Sequence, residues 1–221
     1  RFSHTGRSSS IRQGIAADVS GTTENRYSHT SSSLVVAGSK ASAEGINQVL
    51  FTIANAVNTT LDLDDLYGSI HRSLGTIIDV TNFFIAIVDQ AQKKLYFPFF
   101  QDTTDDDFDP IDDFDTSSSL TGLVVARRKP LLLREEELKE REIREGIWGP
   151  TPYCWMGVPL IVRDEVIGVI AVQSYSDPDI FSVHDLEILS AVSHQTAIAI
   201  DRKRSLDELK KSEERARYGL Q

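Results

Sequence analysis

The chain has 221 residues, 40% hydrophobic and 25% charged, ordinary values for a soluble globular protein with room for one substantial core. Its 33 acidic against 23 basic side chains leave a net charge of −10, which excludes a phosphate-backbone binder built on clustered Lys and Arg, so no nucleic-acid partner is expected. No apolar run approaches the ~20 residues of a membrane span, and the one cysteine, Cys154, excludes an internal disulfide, a Cys-based zinc cluster or a two-thiol redox cycle.

Residues 1–45 are crowded with Ser, Thr and Gly and show no sustained apolar period, so they read as a flexible linker. Within them LVVAG, Leu34 to Gly38, is long enough only for an edge strand or a local docking segment. There is no basic-then-apolar leader pattern, and the chain begins at Arg1 without a Met, so it reads as a piece of a larger protein. A reducing cytoplasm without membrane contact is the expected setting.

From Ala43 the apolar residues Ile46, Val49, Leu50, Ile53, Ala54 and Val57 recur at helical spacing. A second helix starts near Asp62 to Asp65, whose carboxylates favour a helix N-terminus, and carries Leu66, Ile70, Leu74 and Ile77. Phe83 to Asp89 and Lys94 to Phe100 predict a strand pair across the turn Gln90 to Lys93, with Pro98 demanding an edge or irregular position.

An acidic loop follows, Asp102 to Thr116. Asp105, Asp107 and Asp109 have the alternate spacing of a calcium loop, but Pro110 replaces its turn glycine and Thr116 its closing Glu, so a solvated loop is expected. Leu120, Leu123 and Val124 then fit a short helix that must stop before Pro130. PLLL reads as a strand, and Glu135 to Glu145, with alternating charge, as an exposed helix or loop.

Met156 to Val162 and Val166 to Gln173 are Val- and Ile-rich strands joined by the polar tip Arg163, Asp164, Glu165. The last helix begins at the N-cap Ser182, with Asp185 in the capping-box position. It runs on through a loose heptad series of Ile188, Val192, Ala199, Leu206 and Leu209, read as a marginal coiled coil that pairs two copies of the chain.

From about Ile46 to Lys203 the chain resembles a GAF domain of bacterial sensor histidine kinases and diguanylate cyclases. The resemblance rests on TLDLDDLYGSI, NFFIAIVD, SLTGLVVARRKPLLL and the block from Trp155 to Ile200, in family order. It implies an α+β fold, with a central antiparallel sheet, a bundle of the first and last helices on one face and a ligand pocket on the other. The implied organisation is a linker over 1–45, a sensory domain over 46–203 and a signalling helix over 204–221. SEERARYGL near the end resembles the opening of a PAS domain, which implies a covalently linked output domain.

The implied function is to bind a small molecule and pass a conformational signal through the C-terminal helix. The alternative is a ligand-free dimerisation spacer, and a small-molecule redox enzyme is the third reading. Candidate pocket residues are Phe84, Tyr96, Phe97, Trp148, Tyr153, Cys154 and Trp155, although each ring serves equally well as core. No cofactor is identified. Cys154 is followed by Trp155 where bilin-binding domains have His, so a buried structural thiol is expected. Phe181 and Asp185 match part of a cyclic-nucleotide signature, but Leu186 replaces its Glu and no Asn-Lys pair occurs. His71, His184 and His194 lack the neighbours that would make them haem or iron ligands, and no phosphate-cradling loop or nucleophile elbow appears.

Overall fold

A computed structural model describes residues 42–218 except 107–108, 115–117 and 148. The linker reading of the N-terminal stretch, the LVVAG segment and Trp148 therefore lie outside the described residues.

Helix starts follow the capping chemistry of the sequence. Ser42 caps α1 (Ala43–Thr59) by accepting from the Gly45 amide, and Asp62 caps α2 (Leu63–Leu74) by accepting from the Asp65 amide. Strands β1 (Asn82–Asp89) and β2 (Lys94–Gln101) pair antiparallel, and a two-residue β3 (Ile111–Asp112) forms inside the acidic loop against Lys94 and Leu95. Ser119 caps α3 (Leu120–Arg127), which stops at Arg128 in the left-handed region, two residues before Pro130. After β4 (Leu131–Arg134), the charged stretch is helical as α4 (Glu135–Glu145).

The β5 (Cys154–Val162) and β6 (Glu165–Ser174) hairpin precedes α5 (Val183–Tyr218). At the start of α5, Asp185 accepts from both the amide and the hydroxyl of Ser182, while its own amide donates back to Ser182 Oγ.

All six strands form one antiparallel sheet in the order β3-β2-β1-β6-β5-β4. The middle strands are buried on both faces, which is why they read as continuous apolar runs. Alternation divides their side chains between two cores. Phe83, Ile85, Met156, Val158, Ile170 and Val172 pack against α1, α2 and α5, and Phe84, Ala86, Trp155, Val169 and Ala171 against α3, α4 and the loops. The bundle core is the larger, with Ile53, Leu66, Ile70, Leu74 and Leu189 fully buried, each worth about 1.5–3 kcal/mol of transfer free energy.

Pro98 sits where the sequence required it. β3 pairs only with Lys94 and Leu95, leaving Pro98 on an edge, and the register jumps from Ile85 opposite Phe99 to Ile87 opposite Tyr96. This bulge reverses the facing of β2: Leu95 and Phe97 belong to the α3 side, Phe99 to the bundle side. There Phe99 packs against Phe83 and His71, and His71 Nε2 lies 3.2 Å from the Val80 carbonyl, a structural role for this histidine.

One expectation needs correction. Ile188, Val192 and Ala199 do not form an intermolecular seam, because α5 lies on the sheet through these same residues and buries them in the domain's own core. Leu206 and Leu209 alone of the series are exposed, on the stretch where nearly every side chain meets solvent. No described helix is long and apolar enough to cross a membrane.

Candidate functional site

On the face opposite the bundle, β1, β2, β5 and β6 form the floor of a small cavity, and the N-terminus of α3 with the loop before β5 forms its walls. Its volume is about 40 Å³, and a single water needs roughly 10–15 Å³ by this measure. Phe84 and Phe97 meet edge to face at 5.5 Å, held together by the strand bulge. Trp155 lies over Gly157, two residues on along the same face, and only the absence of a Cβ there makes room: one would stand 2.2 Å from the indole.

One end of the cavity is polar. Alternation along β6 carries Gln173 and Tyr175 to the same face as Val169 and Ala171. Gln173 Nε2 donates to Asp102 Oδ2 at 2.7 Å and to the Tyr175 hydroxyl at 2.8 Å. The other oxygen of Asp102 accepts the amides of Thr104 and Asp105, which turns the acidic loop and sets Asp105 in the cavity wall. Asn82 braces the arrangement, donating to the Gln173 carbonyl and accepting from the amide and hydroxyl of Thr103. Burial, then the charges of Asp102 and Asp105, push the Tyr175 phenol well above its ordinary range, so it stays protonated.

Of the candidate residues, Phe84, Phe97 and Trp155 meet in this cavity. Tyr96 instead donates to Gln92 Oε1 and lines an open groove with Tyr67 and Arg204 between α2, β2 and α5. Tyr153 is largely exposed, its amide donating to the Ser174 carbonyl. Cys154 falls on the bundle face, fully buried, because it alternates with Trp155; burial raises its thiol pKa, which makes it an inert packing group. Asp105, Thr121, Gln173 and Tyr175 escaped the sequence reading. The alternation from Ala171 was a usable signal for Gln173 and Tyr175, whereas nothing local tied Asp105 or Thr121 to the sheet. Among the described residues no group of His, Cys, Asp and Glu has the arrangement of a metal centre.

An antiparallel sheet with a helical bundle on one face and a polar-ended cavity on the other makes this an α+β domain of the GAF-like build. The chain belongs to the GAF domain family, whose model matches residues 60–201; such domains typically serve signalling proteins. It is 23% identical over 174 residues to the formate hydrogenlyase transcriptional activator FhlA of Escherichia coli strain K12, covering 76% of this chain but only 25% of that protein. The GAF domain of a phosphoenolpyruvate-protein phosphotransferase from Coxiella burnetii superposes with a TM-score of 0.60 at 18% identity, over 76% of this chain and 99% of the other. The free methionine-R-sulfoxide reductase of Neisseria meningitidis, solved with its substrate, gives 0.53 at 16% identity, over 75% and 95%. Identities this low carry the fold alone.

Proposed function

We propose that this domain is the sensory module of a bacterial signalling protein, which binds a small molecule in the cavity beside Trp155 and passes the change along α5 to an output domain. The observation that carries the reading is the cavity itself: aromatic walls closed at one end by the partly buried network of Asp102, Gln173 and Tyr175, an orienting polar group within an apolar site. The floor of that cavity and the bed of α5 are opposite faces of the same strands, so a shift of β5 or β6 reaches α5 through side chains packed on both. A signal requires that the ligand bind two states unequally.

The same reading assigns 1–45 to a linker, 46–203 to the sensor and 204–221 to the signalling segment, with a second copy pairing along the exposed part of α5. A histidine kinase or diguanylate cyclase in the cytoplasm is the parent that the sequence resemblance favours, and the likeness to a transcriptional activator adds that class. We assign no catalysis to the domain, since its one thiol lies across the sheet from the cavity.

A second reading, a ligand-free dimerisation spacer, is favoured by the cavity's size of about 40 Å³. Thermal unfolding against a panel of small metabolites separates the two. A compound that raises the Tm of the chain, but not of a folded Thr121→Phe variant with its cavity filled, supports the sensor. A panel that leaves the Tm unchanged supports the spacer.

A further inference from the structure

We propose that the open groove between α2, β2 and α5 is a second binding site, for a small zwitterion with an aromatic or apolar side chain, whose ammonium group meets Asp64 and whose carboxylate meets Arg204. The site is independent of any ligand in the cavity beside Trp155.

Size and lining suit a small molecule. The groove has a volume of about 510 Å³, within the roughly 300–1,000 Å³ of small-molecule sites. Ile87, Tyr67, Tyr96 and Pro98 give it an apolar and aromatic surface. The Tyr96 hydroxyl donates to Gln92 Oε1 at 3.0 Å, which fixes that ring. Burial pushes the Tyr67 phenol up to about 12, so it stays protonated and adds no charge of its own.

The charges decide the class of ligand. Asp64 and Arg204 are the only charged residues among the described lining. Both act on the Tyr67 phenol, Arg204 lowering its pKa and Asp64 raising it, so opposite charges bear on one ring. Neither side chain forms an ion pair or a hydrogen bond with a described residue. An ammonium group donates to a carboxylate and a carboxylate accepts from a guanidinium, so a ligand with both engages both. The adjoining hollow shares Ile87, Tyr96 and Arg204 and adds the carboxylates of Asp89 and Glu165. A ligand with only a carboxylate would meet Asp64, Asp89 and Glu165 against Arg204 alone, and one with only an ammonium group would stand against Arg204.

The position gives binding a consequence. Asp64 and Tyr67 lie one turn apart at the start of α2. Arg204 follows Lys203, which bonds to the carbonyls of Thr60 and Leu61 and so holds this turn of α5 against the connection from α1 to α2. A ligand joining Asp64 to Arg204 ties α2 to α5 a second time, where α5 leaves the domain.

The test uses the whole chain and three matched probes at neutral pH and constant ionic strength: L-phenylalanine, phenethylammonium chloride and sodium 3-phenylpropionate. Binding is read from the assigned Tyr67 and Arg204 amide resonances, with the Trp155 indole reporting on the other cavity. The expected result is saturable shifts at Tyr67 and Arg204 with the indole unmoved. Phenylalanine is expected to bind about threefold or more tightly than either singly charged probe, a margin set by the exposure of Asp64 and the partial burial of Arg204. Arg204→Gln should abolish its advantage over phenethylammonium, and Asp64→Asn its advantage over phenylpropionate; circular dichroism checks that both variants fold. Equal affinity for a singly charged probe, folded variants that keep both advantages, or no response at Tyr67 and Arg204 would overturn the proposal. Shifts at the Trp155 indole alone would overturn it too, and leave the cavity reading standing.

Discussion

The Nζ of Lys203 stands 2.8 Å from the carbonyl oxygen of Thr60, and Leu61 offers a second carbonyl at 3.0 Å. Thr60 is the C-cap of α1, where carbonyls lack an intrahelical partner and the helix dipole favours a cation. Lys203 is only 3% exposed, so this contact clamps α5, just before it leaves the domain, to the connection between α1 and α2. Replacing it in Lys203→Met strands the two carbonyls and is expected to cost about 1.5–3 kcal/mol. Urea denaturation is the check, through a lower midpoint at unchanged slope.

Gly157 and Gly168 are both closed to a side chain but with different consequences. At Gly168 a Cβ would lie 2.3 Å from the Ala86 carbonyl oxygen, across the β1–β6 ladder, where backbone cannot yield. Gly168→Ala is expected to lose about 3 kcal/mol or more. At Gly157 the obstacle is the movable ring of Trp155, so Gly157→Ala is expected to cost less, about 1–3 kcal/mol, while displacing the cavity wall. Denaturation of both variants and the Trp155 indole resonance of Gly157→Ala test the pair.

Stability is expected to fall in alkali. Burial raises the Cys154 thiol above its ordinary 9.0, and raises Tyr67 to about 12 and Tyr175 above their ordinary 10.0. Above those ordinary values the unfolded chain releases protons that the folded chain retains. The unfolded state then binds fewer protons, and the unfolding free energy drops as pH rises. The decline should begin near pH 9 and steepen past pH 10, by at most about 1.4 kcal/mol per pH unit for each group. Cys154→Ala should remove the early part, read from unfolding free energies at successive pH values.

Leu206 and Leu209 are half-exposed apolar side chains on the part of α5 that carries little else apolar. Sedimentation of Leu206→Lys with Leu209→Lys is expected to shift the chain from dimer to monomer with its Tm nearly unchanged. Ile188→Ala should do the reverse, leaving association intact and costing about 2–5 kcal/mol, since Ile188 belongs to the bundle core.

Much of the fold was legible because local chemistry and tertiary placement agree. Ser182 with Asp185, Pro98 at an edge and Pro130 beyond a helix end each impose a backbone outcome that the packing then respects. The heptad reading of α5 failed at Ile188, Val192 and Ala199 because a stripe that packs on a sheet and one that packs on a partner helix have nearly the same period, and these three satisfy both. The site was less legible. Cys154 and Trp155 are neighbours in sequence but face opposite sides of the sheet, and strand phase, not identity, decides which reaches the cavity. Asp105 stands on a loop that Asp102 turns, and Gln173 holds Asp102 from 71 residues away.

Native mass spectrometry of the purified chain, set beside its denatured mass and an absorption spectrum, tests the sensor reading most directly. The expected result is a dimer whose native mass exceeds twice the denatured mass by a small molecule, with the excess lost when the cavity is filled in a folded Thr121→Phe variant. An excess mass that survives the filled cavity, or a chain monomeric and bare at every concentration, would contradict it.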